Sequence, residues 1–245
     1  MNTTTPSWEA NHFTLIAFTP ESLVGKEQAL WLDLFENKFD KLNQTQTNGS
    51  VEGQYENCHF IIETDHLRVK ITQVAELDVD KIESPFPSVG NIKQNRDMFD
   101  TISEKWLTTC QPISRLAFVS NLAAMTSSKE ESYKMLSQLL NYPRLENASD
   151  FNLQINRIRK SSVIDGEINR LVRWRAALAG IKGRISGSDK EVHLVENQNV
   201  VGMSLDINNV PLVEVGATLP QGDLVSLYEE LVAMALDIAA HGDID

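Results

Sequence analysis

The chain has 245 residues and a mass of 27.5 kDa, with 42% hydrophobic and 23% charged side chains, enough material to bury a full core. Lys and Arg number 22 against 34 Asp and Glu, so the net charge is −12 at neutral pH, and a broadly basic surface for sequence-independent nucleic-acid binding is excluded. No apolar run approaches the ~18 residues of a membrane-spanning helix, no basic-then-apolar leader opens the chain, and Cys58 and Cys110 are too few for a disulfide framework or a zinc module; the expectation is a reduced, cytoplasmic protein that makes no membrane contact.

In chain order, residues 1–10 lack periodicity and read as a flexible tail. The run 12–19 predicts a strand ended by Pro20. Residues 26–39 place Leu30, Trp31, Leu34 and Phe35 at helical spacing, with Phe39 one turn on. The Asn-, Gln- and Thr-rich segment 40–50 reads as a loop. Short strands follow over 51–56, 58–64 and 66–74, with Thr64 and Asp65 as the tight connection between the last two. Residues 76–91, with Pro85 and Pro87, read as a linker or wrapped loop, and 91–107 spaces Ile92, Phe99, Ile102 and Trp106 as a second helix.

The pattern then repeats, beginning with a strand at 113–122. Ser127 and Glu130 form a capping box for a helix bearing Tyr133, Leu136, Leu139 and Leu140, which stops before Pro143. Residues 150–160 alternate, with Phe151, Leu153 and Ile155 on one face, and Asp165-Gly166 is a turn. Residues 167–181 fit a helix as well as a strand; the preceding alternation and the Asp-Gly turn favour the strand, with Ile168, Val172, Trp174, Ala176 and Leu178 on one face. The runs 191–195 and 199–207 read as a hairpin closed at Glu196–Asn199. The last helix, 223–242, is apolar around most of its circumference and is capped by Gly242.

This order predicts an α+β protein of two similar halves, 11–110 and 111–245, each running strand, helix, three or four antiparallel strands, helix, with helices on one face of the sheet. Ile16-Ala17-Phe18-Thr19 and Leu116-Ala117-Phe118-Val119 occupy matching places. In layout alone the order is similar to TATA-binding-protein-like folds; no motif of that family is present.

Charge changes sign in one place. Between Phe151 and Arg184 stand Arg157, Arg159, Lys160, Arg170, Arg173, Arg175, Lys182 and Arg184, opposed only by Asp165 and Glu167. Arginines on neighbouring strands repel across the ladder, a placement better tolerated when something anionic covers it. The eight are the candidate partner- or nucleic-acid-binding residues; neutralisation by nearby acids is the structural alternative. Gly180-Ile181-Lys182-Gly183 has GxxG spacing that would suit close approach to phosphate, or simply a turn between strands.

Catalytic chemistry finds no constellation. His59 and His66 lack metal-ligand spacing, no GxSxG elbow exists, and Cys58 and Cys110 read as structural. Asp206, next to Asn208 and Asn209, reads as a turn-forming acid. The expectation is a non-catalytic protein-interaction subunit or adaptor, with no cofactor, no metal and no catalytic residue. Its partner is a protein, in one version a second copy held through the Asp223–Ala240 helix. The alternative is a nucleic-acid- or nucleotide-binding component that uses the basic 157–184 hairpin.

Overall fold

A computed structural model describes residues 6–75, 86–110, 112–141, 145, 148, 150–180, 182–184, 191–193, 197–212 and 216–242. Among these described residues twelve strands and four α-helices follow one another as β1 (Glu9–Phe18), α1 (Glu27–Phe35), β2 (Lys41–Gln44), β3 (Asn48–Tyr55), β4 (Cys58–Asp65), β5 (Arg68–Val74), β6 (Gly90–Asn91), α2 (Asp97–Thr109), β7 (Arg115–Met125), α3 (Lys129–Leu139), β8 (Asn152–Lys160), β9 (Glu167–Ala179), β10 (Lys182–Arg184), β11 (Glu191–His193), β12 (Gln198–Asn209) and α4 (Leu224–His241).

Ten of the strands form one antiparallel sheet in the order β2-β3-β4-β5-β1-β7-β12-β9-β8, with the short β6 pairing β1. The expected pair of similar halves is not evident. β1 and β7, each expected to open a separate half, pair directly from Glu9↔Ala123 to Phe18↔Arg115, broken only by a bulge at Asn11. The sheet is therefore continuous across residue 110. The second part also carries a two-stranded ribbon, β10 with β11, that has no counterpart among the described residues of the first.

Local expectations also change. Residues 41–44 pair with β3, because Lys41↔Glu52 and Asn43↔Ser50 are compatible cross-strand partners. The hairpin expected between 191–195 and 199–207 does not form: β11 pairs β10, while β12 lies between β7 and β9. Residues 194–195 of its expected first strand and Glu196 of its expected turn fall outside the described ones. Of the GxxG stretch, Lys182 and Gly183 belong to β10, in which Lys182, Gly183 and Arg184 pair with His193, Val192 and Glu191, while Ile181 lies outside the described residues. The capping box sits one residue later than expected: Ser128 caps α3 by accepting from the Glu131 amide, and the Glu131 carboxylate accepts from the Ser127 amide. Residues 167–179 are the strand that alternation favoured.

Phe13, Phe60 and Phe118 fall on one face of the sheet by register. Helices pack there. α1 sets Phe35 against Phe60 at 5.0 Å, α2 sets Phe99 against Phe13 at 5.7 Å, and α4 sets Tyr228 against Phe118 at 6.4 Å. Ser132 of α3 hydrogen bonds Thr126 just past β7 at 2.7 Å. Leu224, Leu227, Leu231, Val232, Ala235 and Ile238 of α4 are buried, while Val225 and Leu236 are half-buried. The broad apolar surface of this helix is therefore covered within the chain, which is why its sequence is apolar around so much of its circumference.

Candidate functional site: the helix-free face

The opposite face presents a different set of side chains. Alternation gives it His12, Thr14, Ile16 and Phe18 from β1, Arg115, Val119 and Asn121 from β7, Ser204, Asp206 and Asn208 from β12, and Asn169, Leu171, Arg173 and Arg175 from β9. Small and polar side chains dominate, and most are half-buried by the pleat. Burial lowers the pKa of His12, so it is neutral at physiological pH.

Charges on this face are arranged unevenly. Toward β2 they are paired: Lys41 with Glu52 at 3.0 Å, Lys70 with Glu63 at 3.5 Å, and Arg68 with Asp65. The last two pairs line a polar cavity of about 360 Å3 between β2 and β5 and leave it little net charge. Toward β8 they are not paired. Arg173 is exposed and donates only to Gln154 Oε1, at 3.1 and 2.6 Å. Arg175 is exposed, and its Cγ and Nε lie over Gly202: a Cβ there would come within 3.0 and 2.8 Å of them. Neither arginine has a carboxylate within ion-pair distance among the described residues. Lys160, at the end of β8, is exposed on the same face.

The eight basic residues are thus not brought together. Arg157 pairs across the strands with Arg170, and Arg159 with Ile168, so all three arginines point to the helix-covered side. Arg170 is 8% exposed, with Nη2 3.9 Å from Asp237 of α4. The same helix anchors the β8–β9 turn, because Glu230 accepts from Ser161 Oγ, the Ser162 amide and Ser162 Oγ at 2.6–2.7 Å. Of the inner arginines, Arg170 thus lies near an acid of α4, as the structural alternative would have it. A single cationic surface of all eight residues is excluded because period-two alternation sends the two groups to opposite sides. Lys182 and Arg184 are placed by backbone only, on β10 beyond β9.

Other candidate chemistry stays apart. His59 lies on β4, His66 in the turn after it, and Asp206 on β12, with β5, β1 and β7 between β4 and β12. Among the described residues no three His, Cys, Asp or Glu side chains cluster as metal ligands would. Burial raises the Cys58 and Cys110 thiols above their ordinary pKa, with Glu56 adding to the effect at Cys58, so neither is a ready thiolate. Tyr228 donates to Asp100 at 2.6 Å, and burial, then Asp100, pushes its pKa well up; this contact joins α4 to α2.

Arg115 was invisible as a site residue in the sequence. It stacks its guanidinium 5.3 Å above the Phe18 ring and donates to Asn208 Oδ1 at 2.7 Å. Only the β1–β7 register, across 97 positions of chain, brings it to Phe18; no local spacing encodes that.

No protein family, curated protein or solved structure matches the chain.

Proposed function

We propose that the protein is a non-catalytic subunit or adaptor that docks a protein partner on the helix-free face, with Arg173, Arg175 and Lys160 meeting an acidic segment. The observation that carries this reading is the pair of exposed arginines without a carboxylate partner, in a chain of net charge −12. Self-neutralisation was readily available to so acidic a chain, and on the other side of the same hairpin it is used. Lys182 and Arg184, on the β10 strand of the separate ribbon that follows β9 in the chain, are included in the proposed surface as an extension of it. Arg170 near Asp237, with Ser161 and Ser162 on Glu230, ties the hairpin to the helix layer. A second copy of the chain, if it is the partner, docks on the sheet, since α4 has little apolar surface left to offer.

The free state of both cysteines supports a cytoplasmic setting. Among the described residues no helix is long and apolar enough to cross a membrane.

The nucleic-acid alternative requires several phosphate contacts on one side, and splitting the arginines between faces leaves few. Fluorescence anisotropy with a labelled Glu-rich extended peptide and a labelled oligonucleotide compares the two. We expect the peptide to bind, more weakly as salt rises, and Arg173→Glu with Arg175→Glu to remove that binding. Tighter binding of the oligonucleotide, lost in the same double variant, replaces the first reading with the second. Equal behaviour of the unaltered chain and the double variant toward both probes removes the face from consideration.

A further inference from the structure

We propose that the apolar cavity at the end of the sheet beside Arg115 binds a small apolar molecule carrying a single carboxylate. The cavity measures about 390 Å3 and lies where the end of β1, the start of β7 and the segment after β12 converge. That size is at the lower end for small-molecule sites and too small for a folded partner. Phe18, Pro20, Leu67, Pro211 and Leu212 give it apolar walls, and Arg115 is the one charged residue that lines it among the described residues.

Arg115 has an electrostatic deficit. It is half-buried, yet no carboxylate lies within ion-pair distance of it among the described residues. Of its five N–H groups, one on Nη2 meets Asn208 Oδ1 at 2.7 Å, and Nε is enclosed without an acceptor. Asp206 reaches it only through the Asn208 amide, whose Nδ2 donates to Asp206 Oδ1 at 2.7 Å. Asn208 Oδ1 also takes Asn169 Nδ2 at 3.1 Å, so the amide is fixed and cannot turn to offer Arg115 more. Phe18 holds the guanidinium from one side. A partly desolvated cation is costly without an anion, and a guanidinium offers a carboxylate two parallel donors. An apolar wall with one fixed cation selects an apolar body and one negative charge. The site is separate from the Arg173–Arg175 surface and does not depend on the partner reading.

The test is titration calorimetry of the intact chain with octanoate and phenylacetate, each matched to its uncharged alcohol, 1-octanol and 2-phenylethanol. We expect at least one acid to bind saturably with one-to-one stoichiometry and at least about tenfold more tightly than its alcohol. Arg115→Gln should bring acid and alcohol together. Leu67 is 64% exposed in the β4–β5 turn, so Leu67→Glu leaves the core untouched, places a carboxylate at the rim and should abolish acid binding with an unchanged melting temperature. The Leu67 variant keeps the test decisive if Arg115→Gln fails to fold. Absence of saturable binding by both acids, equal binding of acid and alcohol to the unaltered chain, or undiminished acid binding by Leu67→Glu would overturn the assignment.

Discussion

Glu27 is a buried carboxylate with no cation beside it. It is fully enclosed at the first turn of α1 and accepts from the Gly25 amide at 2.9 Å, from Gln44 Nε2 at 2.6 Å and from Thr64 Oγ1. Gly49 makes room: a Cβ there would lie 2.1 Å from Glu27 Oε1. Burial raises the pKa of this carboxyl, but the hydrogen bonds from Thr64, the backbone and Gln44 outweigh it, and the net pKa is below the ordinary value. A folded-state pKa below the unfolded one means that the contribution to stability is present above the unfolded pKa and is lost as pH falls through the folded pKa. Glu27→Gln sets an N–H group against one of these donors and should cost about 1–3 kcal/mol at neutral pH. Urea unfolding across the acid range checks both points: the variant should be less stable at pH 7 and lose less on acidification. Equal acid limbs for the two proteins would contradict this role. The sequence places Glu27 at a helix start but not among Gln44, Gly49 and Thr64, because those meet it only once β2, β3 and β4 are paired.

At the scale of elements, the β8–β9 hairpin shows what alternation can and cannot reveal. Period two correctly separates Arg157 and Arg159 from Lys160, and Arg173 and Arg175 from Arg170, within each strand. Which set faces helices depends on where Ile168, Val172 and Trp174 are buried, and Trp174 meets Trp8 from the opposite end of the chain at 6.1 Å. The basic run is legible in the sequence; its division into an inner and an outer group is settled by that long-range packing. Gly202 offers a test that leaves every charge in place. Gly202→Ala crowds the Arg175 side chain and should turn it off the face, weakening partner binding while shifting stability by about 1 kcal/mol or less. Calorimetry beside a binding titration separates this from general damage. On the helix side, Glu230→Ala removes three acceptor contacts to Ser161 and Ser162, and hydrogen exchange at the β8–β9 turn should rise well before that of β7.

Across the whole molecule, the β1–β7 ladder ties early and late segments into one sheet, and α2 and α4 join above it through Asp100 and Tyr228. Helix spacing and most strands were legible locally, whereas the single sheet was not, since repeated strand-helix order suits two units as well as one until the β1–β7 pairing is known. Unfolding should accordingly be one cooperative transition, and 11–110 expressed alone should not fold; two calorimetric transitions would indicate independent units. The paired sheet also fixes which arginines are outside, and on that the proposed function rests. The most direct measurement is made on the double variant Arg173→Glu with Arg175→Glu, recording melting temperature and affinity for the acidic peptide together. The account predicts a melting temperature near that of the unaltered protein, because exposed substitutions change stability by about 0.5 kcal/mol or less, together with loss of binding. A lowered melting temperature with undiminished binding would contradict it.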